Sequence, residues 1–169
     1  MTRTVTIRPA TPADAAAIHA AILAMGEHLG LAHKIDSTPA DLARHGLAPG
    51  RAFEGLIAEI GGEFAGMCLF FRSFSTWRGC PGIYIQDLYV EPRFRGERVG
   101  ERLVRRAAAQ ARDRGAGYLR LAVDADNFAA QGFYERLGIA HYEADRIHAA
   151  YGEAFEALAS GGKDDQGTT

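Results

Sequence analysis

The sequence predicts a mixed α/β fold, one central sheet with helices on both faces. Two observations predict it. Strand-like stretches pair as hairpins early in the chain, and strands alternate with helices late in it. A chain that mixes these two patterns builds a sheet with both strand directions and covers it with helices.

The elements follow in order. Residues 4–9 alternate as a strand. Thr11-Pro-Ala-Asp14 starts a helix that runs to about Met25. Threonine serves as N-cap, proline suits the first helical position, and aspartate stands three residues on. The tetrapeptide recurs at residues 38–41, as capping chemistry used twice rather than a repeated unit. A loop and a short helix cover residues 26–46. Residues 53–60 and 63–72 form a hairpin across Gly61-Gly62, a strong turn signal. The next strand spans residues 82–90. The helix over residues 101–114 carries Leu103, Val104, Ala107, Ala108 and Ala111 on one stripe, and Gly115 and Gly117 end it. Residues 118–123 form a fifth strand, and residues 127–137 a helix closed by Gly138. Short strands are expected near 140–143 and 146–151, about seven in all, followed by helical turns over 153–159. Residues 1–160 are expected to form a single domain. The polar, glycine-bearing tail 161–169 is expected to lack fixed structure.

Composition sets bounds on function. A 169-residue chain has the length of one domain, and 47% hydrophobic residues are ample for a core. A net charge of −2 argues against a general nucleic-acid binder, which shows a basic balance. No apolar run approaches a membrane span, and Met-Thr-Arg-Thr enters a strand with no apolar signal segment. A cytoplasmic protein with no membrane partner is therefore expected. Cys68 and Cys80 fit no metal spacing, and the histidines form no ligand cluster, so no metal site is expected. Cys68 lies in an apolar strand as a small core residue; Cys80 falls in a Gly-Cys-Pro-Gly turn.

The stretch between Gly82 and Gly138 carries the chemistry. Val90-Glu-Pro closes a strand, and Arg93-Phe-Arg95-Gly96-Glu97-Arg98-Val99-Gly100 leads into the helix that begins at Glu101. The first N–H groups of a helix lack partners and its dipole favours negative charge there. Glycines let the backbone wrap a phosphate closely, and arginines add charge-assisted hydrogen bonds. The loop suits a pyrophosphate. It lacks the third glycine of a dinucleotide fingerprint and the lysine of a P-loop.

The loop instead resembles the Arg-Gly-x-Gly-x-Gly signature of the GNAT superfamily of N-acetyltransferases. Ile7-Arg8-Pro9-Ala10-Thr11 resembles that family's first strand, and Asn127-x6-Tyr134-x3-Gly138 its Asn…Phe-Tyr-x-x-x-Gly helix. Phe74-Ser-Thr-Trp77-Arg-Gly and Ile83-Tyr84-Ile-Gln86-Asp87-Leu88-Tyr89-Val90 look like the spermidine/spermine (diamine) and thialysine acetyltransferase branch. The resemblance implies a mixed, mostly antiparallel sheet in which a parallel strand pair, 82–90 and 118–123, splays apart around acetyl-CoA. It implies an acetyl-CoA-dependent N-acetyltransferase acting on a small-molecule amine in a ternary complex, and a homodimer. The alternative is a coenzyme A-binding protein of the same fold with another acceptor or little activity.

Residue by residue, the resemblance assigns the pyrophosphate to Arg95, Gly96, Glu97, Arg98, Val99, Gly100 and Glu101. Backbone groups of Leu88, Tyr89 and Val90 hold the pantetheine and polarise the thioester. Tyr134 is the general acid that protonates the departing thiolate, since phenol and thiol pKa values are near one another. Asn127 either bonds the cofactor or caps its helix. Two departures stand out. Gln86 replaces the branch's glutamate base and cannot accept a proton at neutral pH. The base is then a water held by backbone or by Asp87, unless Asp87 is a structural hydrogen-bonding group. Strand alternation places Gln86 and Asp87 on opposite faces. Arg98 replaces the loop's middle glycine, and its N–H serves a phosphate if the residue is αR. Glu27 is the one carboxylate in residues 25–35, too few for a polycation. A small amine or amino-acid-like acceptor is expected. Glu27, Trp77, Tyr84 and Gln86 are the candidate acceptor residues, with Phe74, Trp77 and Tyr84 either walling that site or packing at a subunit interface.

Overall fold

In the computed structural model, which describes residues 4–161, the chain forms two compact units, Met1–Asp126 and Asn127–Thr169. The expected tail lies, beyond Gly161, outside the described residues.

The first unit holds a five-stranded sheet in the order β1-β2-β3-β4-β5. Its strands are β1 (Val5–Pro9), β2 (Glu54–Ile60), β3 (Glu63–Ser75), β4 (Cys80–Val90) and β5 (Leu119–Leu121). The first three pairings are antiparallel and β4–β5 is parallel. The β2–β3 turn has both glycines at positive φ, Gly61 at 61° and Gly62 at 81°, a conformation that only glycine takes without strain. Among the described residues five strands replace the expected seven. Residues 140–143 and 146–151 have no strand structure, and all but Ala150 of them are exposed. Their side chains offer no buried face, so no packing energy sets a register for pairing. Cys80, expected in a turn, pairs with Ser75 at the start of β4, because β3 and β4 extend further along each other than their alternating patterns suggest.

Helices α1 (Ala15–His28) and α2 (Pro39–His45) cover one face of the sheet and α3 (Val99–Asp113) the other. Alternation along the strands makes this division. Ile57, Met67, Leu69 and Tyr89 share a core with Ile18, Ala21 and Leu42 of α1 and α2. The intervening Leu56, Ala58, Cys68 and Phe70 are buried on the other side. There α3 buries Val99, Leu103, Val104, Ala107 and Ala111, while Ala108 stays exposed at the margin of the stripe. Each large side chain in that stripe contributes about 1.5–3 kcal/mol of burial. Thr38 caps α2, its hydroxyl accepting from the Asp41 N–H at 3.2 Å while the Asp41 carboxylate accepts from the Thr38 N–H at 2.9 Å. Arg8 ties β1 to the start of α1 and to β2 through Asp14 (2.8 Å) and Glu59 (3.0 Å).

In the second unit, α4 (Phe128–Arg136) is capped by the Asn127 side chain, which accepts from the Ala130 N–H at 3.1 Å, and α5 spans Gly152–Gly161. No helix among the described residues is long and apolar enough to cross a membrane.

Candidate active site

The site grows out of one irregularity in β4. Leu69 pairs with Asp87 and the next residue, Phe70, pairs with Ile85, so Gln86 is an extra, unpaired residue. A bulge of this kind breaks the two-residue period of the strand. Tyr84, opposite Phe71, and Asp87, opposite Leu69, then face the same side of the sheet. Gln86 and Asp87 both line one cavity, contrary to the opposite faces that regular alternation predicts.

That cavity, of about 560 Å3, lies between β3–β4 and the α1–α2 layer. Ile22, Leu42, Ala52, Phe53, Leu69 and Phe71 supply apolar wall, and Lys34, Ile35, Asp36 and Ser37 come from the chain between α1 and α2. The rim is held by His19, whose Nε2 lies 2.6 Å from the Ser37 carbonyl oxygen and donates to it as the Nε2–H tautomer. Asp87 is half-buried, and burial pushes its carboxyl up from 3.8 to about 6. A carboxylate with that affinity for protons suits general-base work near neutral pH. Burial also pushes the Cys68 thiol up to about 12, so this cysteine stays a protonated core residue.

The bulge marks a second change. β5 pairs with β4 only from Ile83 to Ile85. Beyond it, Leu88, Tyr89 and Val90 remain paired to β3 through Cys68, Met67 and Gly66, while their opposite edge has left β5. Backbone groups on that edge are available to an extended ligand, as on any unpaired strand edge.

Immediately after β4 comes the loop into α3. Gly96 has φ +88°, and a Cβ built there meets no atom within 4 Å, so glycine is needed for conformation and for an open approach. Arg98 is αL (φ 58°, ψ 23°), not αR, and is the N-cap of α3. It holds the glycine-type conformation with a side chain attached, at a cost of about 1 kcal/mol. Its guanidinium makes two 2.9 Å bonds to Glu101, which also accepts from Arg105. These hydrogen bonds lower the Glu101 carboxyl to about 2. Arg93 is engaged by Glu63 at 2.8 Å and lies over the Phe94 ring. Arg95 is exposed and makes one long contact, 3.4 Å, to the Val90 carbonyl oxygen. Glu97 precedes this helix start, and Val99, Gly100 and Glu101 open the helix itself. The donors fit a pyrophosphate: an open glycine, an available guanidinium and the N-terminus of a 15-residue helix.

Other candidates lie elsewhere. Trp77 is 99% exposed at the β3–β4 turn, beside Phe74 at 63%. Glu27 is exposed near the end of α1 and is not part of the cavity wall. Tyr84 reaches the site indirectly, stacking on the wall residue Phe71 with ring centroids 5.1 Å apart. Asn127 and Tyr134 belong to the second unit; Tyr134 stands on α4 in edge contact with Phe133 at 5.1 Å. Phe53, Leu69 and Phe71 had no sequence signal as site residues, since apolar strand positions read as core. Among the described residues no group of acidic, histidine or cysteine side chains is arranged to hold a metal.

A mixed sheet whose parallel pair separates beside a glycine loop and helix start defines an acetyltransferase fold. Residues 24–139 match the family described as Acetyltransferase (GNAT) family, and the chain belongs to it. It is 34% identical to the thialysine N-epsilon-acetyltransferase of Bos taurus over 166 residues, covering 92% of this chain and 97% of that protein. The fold matches an integron cassette protein from V. cholerae with a TM-score of 0.75 at 19% identity, covering 94% of this chain and 98% of the other. It also matches the ribosomal-protein-alanine N-acetyltransferase of Brucella melitensis, with a TM-score of 0.71 at 21% identity over 88% of this chain and all of the other. The protein is an acetyltransferase, and its family uses acetyl-CoA.

Proposed function

We propose that the protein transfers the acetyl group of acetyl-CoA directly to the primary amine of a small molecule, with both substrates bound together. The observation that carries this reading is Asp87. A carboxyl raised to about 6 faces an apolar-walled cavity at the point where β4 parts from β5. Acetyl-CoA supplies the acetyl group as a thioester. Arg95, Gly96 and the first N–H groups of α3 hold its pyrophosphate, and the free edge of Leu88–Val90 aligns its pantetheine. Alignment of two bound reactants lowers the barrier substantially by itself. A backbone N–H of that edge donates to the oxyanion that develops at the carbonyl. Asp87 takes the ammonium proton, directly or through one water, and frees the nitrogen lone pair for attack. Gln86 orients the amine or that water by hydrogen bonding without taking a proton. Tyr134 gives its phenolic proton to the departing thiolate, a role that rests on the Asn127…Tyr134…Gly138 motif of α4. Asn127 caps that helix, and contact with the cofactor is a second role its side chain would have to share.

We place the enzyme in the cytoplasm and read it as a homodimer. The exposed Tyr142, Ile147, Tyr151, Phe155 and Leu158 of the second unit offer apolar surface that a second copy would cover. Thiol release from acetyl-CoA over a panel of amines, with product masses, tests the activity. A gain of 42 Da on an amine, as one acetyl replaces one hydrogen, is the expected result. Binding of coenzyme A with no turnover on any amine would favour the alternative of an idle coenzyme A-binding module.

A further inference from the structure

The charge and lining of the Asp87 cavity reach past the general class of small amines. We infer that the acceptor is a primary monoamine on an apolar body, its nitrogen at Asp87 and its hydrocarbon against Leu69, Phe71, Phe53 and Ile22. This inference rests on the acetyl-transfer reading of the same cavity.

The charges decide first. Three charged residues line the cavity: Asp87, Asp36 and Lys34. Their sum is −1, which matches one cation. Asp36 and Lys34 are exposed and opposite in sign, two residues apart on the rim. A second ammonium would find Asp36 on the rim, where Lys34 two residues away offsets its charge. The carboxylate and α-amino groups of an amino acid could address this rim pair, but each exposed ion pair is worth about twofold in affinity at the middle of its range, about fivefold for the two. The walls weigh more. Each methylene moved from water onto an apolar wall is worth about fourfold. Lysine brings four methylenes of its own, so hexylamine, with two more carbons, outweighs the rim pair by about threefold when both of those carbons are covered.

The walls are also set in place before a ligand arrives. A Cβ at Gly46 would run into the Phe53 ring, so that ring lies directly on the backbone. Leu69 packs over Gly55, where an added Cβ would come within 2.8 Å of it. Phe71 stacks on Tyr84 with an interplanar angle of 25°. Ser37 is tied to α1 through His19. A cavity of about 560 Å3 lies well inside the range of small-molecule sites and holds a six-carbon or phenethyl body with room to spare.

The test compares butylamine, hexylamine, phenethylamine, 1,6-diaminohexane, lysine and ornithine as acceptors at pH 8. We expect kcat/KM to rise several-fold from butylamine to hexylamine. We expect 1,6-diaminohexane, lysine and ornithine each to fall below hexylamine, lysine by about threefold. Preference for the diamine or for either amino acid would overturn the inference and leave acetyl transfer standing. Calorimetry of hexylamine with the full chain and coenzyme A separates the two claims. Hexylamine binding that weakens at least tenfold in Asp87→Asn, with no acetylation of any amine, would sink acetyl transfer and keep the site's preference. Equal affinity for hexylamine and lysine would sink the preference whatever the turnover.

Discussion

Asp87 concentrates the physics of the site in one side chain. Its folded carboxyl titrates near 6 and its unfolded carboxyl near 3.8. Well below pH 3.8 both states are protonated and burial carries no ionic penalty. As pH rises from about 4 to 6 the unfolded state ionises first, so stability falls, and above about 6 the loss is constant. A raised carboxyl pKa thus favours the fold at low pH. The gap corresponds to about 3 kcal/mol at most. Asp87→Asn should therefore stabilise the protein at pH 8, with the gain fading toward pH 4. Denaturant melts at both pH values check this; equal gains at both would mean that burial is not what raises the carboxyl. Tyr134→Phe keeps the ring and removes one proton. Turnover should fall at least about 10-fold while coenzyme A affinity holds within a few-fold. Near-wild-type kcat would make Tyr134 a packing residue. Of these two side chains, Tyr134 was legible as a candidate because its motif is local. Asp87 was legible as a residue but not as sharing a cavity with Gln86. Alternation assumes a regular strand, and a bulge is a fact of pairing between β3 and β4 that neither strand's residues announce.

Among the elements, the loop into α3 separates conformation from charge. Gly96→Val places a β-branched residue at φ +88°, where it is strained whatever space surrounds it. Coenzyme A affinity should drop at least about tenfold. Arg98→Gly relieves an αL arginine whose guanidinium is occupied by Glu101. Affinity should stay within about threefold and stability should rise slightly, since a fully exposed ion pair adds little and Glu101 keeps Arg105. A large loss in Arg98→Gly would return that guanidinium to the phosphate. Isothermal titration with coenzyme A reads both variants. The loop, the glycine turn of the β2–β3 hairpin and the caps at Thr38 and Asn127 were legible because each is fixed by a few adjacent residues. The expected strands at 140–143 and 146–151 were not. Their residues alternate in name, but a strand exists by virtue of a partner, and partners are distant in sequence.

The charge and lining of the folded chain decide which amines are excluded. Several carboxylates would be needed to offset a polyamine's charge, and the cavity offers Asp87 with a mutually cancelling rim pair. Spermidine and spermine should show kcat/KM at least tenfold below the best monoamine; a preferred polyamine would refute this charge account. The family membership was legible from motifs spread along the chain, while the cavity required the α1–α2 layer to be brought over β3 and β4. In the proposed reaction Asp87 is the base. That role is tested most directly by the pH dependence of kcat for the best amine, in wild type and Asp87→Asn. Gln86 cannot titrate and Cys68 is held near 12, so neither supplies an inflection near 6. Wild-type kcat should fall below about pH 6, and the variant should be at least about tenfold slower at pH 8 and have lost this inflection. A variant with wild-type kcat and an unchanged profile would contradict Asp87 as the base.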